Sequence, residues 1–82
     1  MILTLYTTLG CHLCEQALEL LKESQARGRT LTIHSVEISD SDDLIALYGV
    51  RIPVIKTHDS NTELGWPFDS ATLDQFLDAA ES

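Results

Sequence analysis

The chain has 82 residues, of which 44% are hydrophobic and 22% charged, and 13 acidic against 5 basic residues give it a formal net charge of −8. This size allows one domain built on one modest core, and the balance of apolar and charged residues argues against disorder. So acidic a chain repels nucleic acid and anionic membrane surfaces, and no apolar run reaches the length of a membrane-spanning helix.

The opening MILTLYTTLG has no basic n-region and no small-residue cleavage site. It is therefore expected to be a strand and not a signal peptide, with the cytoplasm as the default compartment. Ile2 to Thr7 is β-prone and uncharged, which suits a strand buried on both faces. Gly10 breaks it. Cys14, Ala17, Leu18 and Leu21 then recur at i, i+3, i+4 and i+7, the period of a helix with one buried face. Glu15, Glu19 and Glu23 lie opposite, and Arg27-Gly28-Arg29 ends the helix with the glycine and basic residues that suit a C-terminus.

Leu31 to Ile38 (LTIHSVEI) predicts a second strand. Ser39-Asp40-Ser41-Asp42-Asp43 offers N-cap residues and an acidic first turn for a short helix from Leu44 to Tyr48, which Gly49 stops. Pro53-Val54-Ile55-Lys56-Thr57 is the third strand, with proline tolerated at its first position. His58-Asp59-Ser60-Asn61 is turn material, and Thr62-Glu63-Leu64 returns as a short fourth strand. Asp69 or Ser70 then caps a last helix that buries Leu73, Phe76, Leu77 and Ala80. The order β-α-β-α-β-β-α predicts a single α/β domain over residues 1–82. Its first two strands should be parallel across a right-handed crossover and its last two a hairpin, giving a four-stranded mixed sheet with helices on both faces.

Cys11 and Cys14 are the two cysteines of the chain. In the cytoplasm such a spacing is more often catalytic or metal-binding than a structural disulfide. The pair opens the first helix, where backbone N–H groups and the helix dipole favour a thiolate at Cys11. Cys14, one turn on, falls on the face of Ala17, Leu18 and Leu21 and should be more buried yet within reach of Cys11. An exposed attacking thiol and a sheltered resolving thiol are the parts of thiol–disulfide exchange. A zinc or iron–sulfur site needs about four ligands. His34 lies in the second strand and His58 in the hairpin turn, so neither is placed to complete one, and no metal is assigned.

Several other residues carry a functional reading beside a plain one. His12 is either a cation that stabilises the thiolate or an exposed polar residue. Arg51 either lowers the pKa of Cys11 or holds a substrate carboxylate, or is a plain surface charge. Glu15 opposes thiolate formation as a like charge. Trp66-Pro67-Phe68 is either core packing or an apolar wall that a partner covers.

A strand, Gly10-Cys11-His12-Leu13-Cys14, a helix, and later Tyr48-Gly49-Val50-Arg51-Ile52-Pro53 before a strand resemble the thioredoxin superfamily. The short length, with no extra N-terminal strand and helix, is similar to glutaredoxins, and most of all to small bacterial glutaredoxin-like proteins. The resemblance covers essentially the whole chain. It implies a thioredoxin-like fold and a thiol–disulfide oxidoreductase in which Cys11 is the nucleophile and Cys14 resolves. It also implies a cis Ile52–Pro53 bond opposite the cysteines, with the Ile52 backbone pairing with a bound peptide or thiol. His12, Leu13, Arg51, Gly65 and Trp66 complete the candidate site. No bound cofactor is implied. Glutathione is a candidate co-substrate, the partner is a disulfide-containing protein or glutathione itself, and the chain is expected to act as a monomer.

The chain also departs from that pattern. Glutathione-using glutaredoxins commonly carry a basic residue where Thr8 stands, a Cys-Pro-Tyr-Cys site where Cys-His-Leu-Cys stands, and Thr-Val before the proline where Arg51-Ile52 stands. Their paired glycines before the last helix correspond to Gly65-Trp66. These changes predict weak turnover of glutathione mixed disulfides. Two other classes remain open: a redox-silent binding module on the same fold, and a metal or cluster carrier that completes its site by dimerising or with glutathione.

Overall fold

The chain runs through β1 (Ile2–Thr7), α1 (His12–Ala26), β2 (Thr32–Glu37), a 3₁₀ turn (Ile38–Asp40), α2 (Asp42–Tyr48), β3 (Val54–Thr57), β4 (Glu63–Gly65) and α3 (Ser70–Glu81). The structure is a computed structural model and describes residues 1–59 and 61–81. The strands form one mixed sheet in the order β2-β1-β3-β4. β1 lies at its centre, parallel to β2 and antiparallel to β3, so that Leu5 stands between Ser35 and Ile55.

The period-2 alternation of β1 decides the core. Leu3 and Leu5 project to one face, where Ile55 joins them and Ala17 and Leu21 of α1 and Leu73 and Leu77 of α3 close over them. Burying each of these leucines contributes about 1.5–3 kcal/mol. The opposite face of β1 is not fully buried as the sequence led us to expect. Ile2 keeps 43% of its surface exposed, because α2 is only two turns long and reaches the sheet through Tyr48. That ring stacks on Tyr6 with centroids 4.2 Å apart.

Capping shifts several boundaries. Ser41 accepts the N–H of Leu44 at 3.3 Å, which starts α2 at Asp42, ahead of the expected Leu44, and puts Asp42 and Asp43 in the first turn. The helix ends at Gly49, where an added Cβ would lie 2.5 Å from the carbonyl oxygen of Ile45. β2 stops at Glu37 because that carboxylate accepts the N–H of Ser39 at 3.1 Å and turns the chain at Ile38. β3 begins after Pro53, and β4 runs one residue later than expected. Asn61 sits at φ 58 in the hairpin turn, while Ser60, assigned to that turn from sequence, lies outside the described residues. Asp69 caps α3 by accepting the N–H of Thr72 at 2.8 Å. Arg27 and Arg29, beyond the end of α1, bind Asp74 and Asp78 of α3 at 3.1 and 2.8 Å and tie the two helices together.

Candidate active site

Strand register gathers the candidate residues at one end of the sheet. Thr7 at the end of β1 is level with Glu37 at the end of β2. Tyr6 is level with Val54 at the start of β3, and Val54 with Gly65 at the end of β4. Trp66 donates its N–H to the Pro53 carbonyl at 3.0 Å and extends the β3–β4 pairing by one step. The Ile52–Pro53 and Trp66–Pro67 peptide bonds are both cis.

Leaving β1, the chain turns at Gly10, whose φ of 78° suits a residue without Cβ, and Cys11 donates its N–H to Thr8 at 3.2 Å. Cys11 is extended and forms the N-cap of α1. Its sulfur accepts the N–H of Cys14 at 3.1 Å. The two residues are joined as a disulfide across a Cα separation of 5.2 Å. Cys14 is 3% exposed and belongs to the buried stripe that continues through Ala17, Leu21 and Ser24, whereas Cys11 remains half-exposed. A cavity of about 200 Å³ runs from the 7–10 loop past both cysteines to Leu18 and Ser35.

Glu37 holds that loop. Its carboxylate accepts the N–H of Leu9 at 2.8 Å as well as that of Ser39. The Ser39 N–H foremost, then the Thr8 hydroxyl, hold its carboxyl below the usual carboxylate range. Sequence reasoning missed this residue, because only the parallel β1–β2 register brings Glu37 beside Thr7.

Arg51 turns to the other side of the sheet. Its guanidinium stands 3.4 Å from the Glu63 carboxylate and 5.5 Å above the Tyr48 ring, and the Tyr48 hydroxyl donates to the same carboxylate. Glu63 is level with Lys56, and Lys56 with Thr4. The cluster therefore lies on the α2 side, opposite Leu3, Leu5 and α1. The Tyr48 hydrogen bond, supported by Arg51, holds the Glu63 carboxyl below its ordinary range. That hydrogen bond, together with burial, pushes the Tyr48 phenol well above its own.

The remaining candidates divide. His12 is exposed and pairs with Glu15 at 3.4 Å, and His34 and His58 are exposed elsewhere. Phe68 is buried in the core and Trp66 packs half-buried against it, edge to face with centroids 5.0 Å apart. Leu9, Leu13 and Val50 stay exposed around the cysteines and the proline segment. Among the described residues, no three of His, Cys, Asp and Glu come together to hold a metal ion, and no helix is long and apolar enough to cross a membrane.

Residues 2–78 match the family model of the glutaredoxin-like domain (DUF836). Among solved structures, the chain is similar to target protein XcR50 from X. campestris, with 45% identity, a TM-score of 0.81, and coverage of 94% of this chain and 96% of that one. It is similar to protein Ne2328 from Nitrosomonas europaea at 28% identity and a TM-score of 0.77, over 90% of this chain and 87% of that one. Thioredoxin 1 from Thermosipho africanus, at 12% identity and a TM-score of 0.56 over the full length of both chains, shares the fold. No curated protein matches the chain.

Proposed function

The chain belongs to the glutaredoxin-like family, and from that premise we propose that it is a thiol–disulfide oxidoreductase working through Cys11 and Cys14. In the reduced protein the Cys11 thiolate attacks one sulfur of a substrate disulfide. A mixed disulfide forms and the other substrate sulfur leaves as a thiolate. Cys14 then loses its proton and attacks the Cys11 sulfur, releasing the second substrate thiol and closing the Cys11–Cys14 disulfide. Two electrons pass to the substrate, and an external dithiol or thiol returns them. Neither half-reaction needs a bound cofactor.

One observation carries this reading. The sulfur of Cys11 receives the Cys14 N–H at 3.1 Å at a helix start, while Cys14 itself is 3% exposed one turn below. An attacking sulfur thus has a donor for its negative charge, and the resolving sulfur is kept from solvent competitors.

The substrate we assign is a protein disulfide flanked by apolar residues, met in the cytoplasm by a monomer. Leu9, Leu13 and Val50 give that end of the molecule an apolar rim. Glutathione is the poorer fit, since Thr8 brings no charge and Trp66 brings bulk beside Gly65. Redox titration against a dithiol buffer, with trapping by a Cys14→Ser variant, tests the proposal. A reversible two-electron couple and a mixed disulfide on Cys11 are expected. A pair that neither titrates nor traps a partner would refute it.

A further inference from the structure

Resting on the oxidoreductase reading, we infer that Glu63 is a specificity-determining residue. Its carboxylate occupies the Arg51 guanidinium as a substrate carboxylate would, and so turns the site away from anionic disulfides. Arg51 is two residues from the cis-proline, ahead of the β3 end that register sets level with Tyr6, while its guanidinium is held back on the α2 side by Glu63, level with Lys56. It is the one arginine at that end, since Arg27 and Arg29 are engaged with α3 at the other. An incoming carboxylate would seek it first.

The internal carboxylate has three advantages over such a ligand. It is delivered by β4, in register with Lys56, so no translational freedom is lost on pairing. The Tyr48 hydroxyl fixes its orientation by donating to Oε2, while Oε1 faces the guanidinium. The Tyr48 ring beneath Arg51 then holds the cation in place from below. A diffusing carboxylate must displace this arrangement and also meet the charge of Glu63 itself.

The charges are partly solvated, with side-chain exposures of 48% for Arg51 and 28% for Glu63. The effect on discrimination is correspondingly about two- to fivefold. A plain structural staple joining the 49–53 turn to β4 predicts no dependence on substrate charge.

The test compares reduction rates of oxidised glutathione and the neutral hydroxyethyl disulfide by the reduced protein. Glu63→Gln keeps an acceptor for Tyr48 and releases Arg51, and it is expected to raise the glutathione-to-neutral rate ratio about two- to fivefold. Arg51→Gln alone should give no gain and should lower the ratio, because it removes the cation and leaves the Glu63 charge uncompensated. The double variant, with the same net charge as the wild type, should lose the gain. An unchanged ratio in Glu63→Gln, or an equal gain in the double variant, would overturn the inference while leaving the oxidoreductase reading intact. If Glu63→Gln does not fold, Glu63→Asp, which withdraws the carboxylate, must raise the ratio in the same direction. Titration of the oxidised proteins with redox-inert S-methylglutathione, followed by NMR, reads the same site without turnover. Tighter binding by Glu63→Gln than by wild type is expected there, and equal binding would refute the role of Glu63 even in a protein that reduced neither disulfide.

Discussion

The backbone N–H of Cys14 points at the sulfur of Cys11 from 3.1 Å, so the helix that positions the second cysteine also supplies a donor to the first. An N-cap side chain is ordinarily an oxygen of Ser, Thr, Asp or Asn; here a sulfur takes that place. When the disulfide opens, negative charge on Cys11 gains this donor and the helix dipole, while Cys14 has burial against it.

The reduced protein should therefore react with limiting iodoacetamide at Cys11 well before Cys14. A thiol at the usual pKa of ~8.5 is mostly protonated at neutral pH, and lowering that pKa raises its thiolate fraction by up to about tenfold for the first unit. Peptide mapping reads the order. Faster labelling of Cys14 would reverse the assigned roles.

Leu9 and Val50 are 93% and 101% exposed, so neither contributes measurably to folding. Replacing both with serine should leave the urea midpoint unchanged and slow reaction with a protein disulfide, while reaction with hydroxyethyl disulfide stays at the wild-type rate. Equal slowing toward both substrates would remove the apolar rim from the account.

Glu37 links pH to the loop before Cys11. Its folded pKa lies below the ordinary 4.5, chiefly through the Ser39 N–H and then the Thr8 hydroxyl. Its contribution is thus complete above the unfolded pKa and is lost as pH falls through the lowered folded value. The amides of Leu9 and Ser39 should shift together in NMR spectra as pH falls through that lowered value, and Glu37→Gln should abolish that transition. Amide shifts that stay flat through acid would contradict it.

Tyr48 behaves in the opposite sense. Its phenol is raised above the ordinary 10.0 by the hydrogen bond to Glu63 and by burial. The stability it brings is fully present below the unfolded pKa and is lost only as pH rises through the folded one. In a Tyr6→Phe protein, where Tyr48 is the remaining tyrosine, phenolate absorbance at the ordinary midpoint should be missing while the fold persists. Normal titration there would mean that the Tyr48–Glu63 bond is not formed in solution.

Two buried positions on α1 should respond with opposite signs. Leu21 is 0% exposed in the core, and Leu21→Ala should cost about 2–5 kcal/mol. Ser24 is 1% exposed, and its hydroxyl has no hydrogen-bond partner among the described residues. Ser24→Ala removes that desolvated oxygen and improves helix propensity, for a gain of about 0.5–1 kcal/mol. Urea denaturation measures both, and a destabilised Ser24→Ala protein would show that the hydroxyl is satisfied.

Local sequence determined what depends on neighbours along the chain. The 3.6-residue period placed α1 with Cys14 on its buried stripe, and the β-prone uncharged run placed β1 ahead of it. The glycines at 10, 28 and 49 punctuated the elements that the structure shows. The cysteine pair at a helix start was legible for the same reason, since a turn of helix joins residues three apart. Tertiary structure decided what depends on register and on which face is covered. Glu37 meets the loop before Cys11 because parallel pairing sets it level with Thr7. Glu63 meets Arg51 because a hairpin brings β4 back beside β3 and because Tyr48 folds over the sheet. The outer face of β1 stays partly open because α2 is too short to cover it. Such pairings join residues far apart in the chain, and a strand's side-chain period of two assigns a face without naming the residue that will stand opposite.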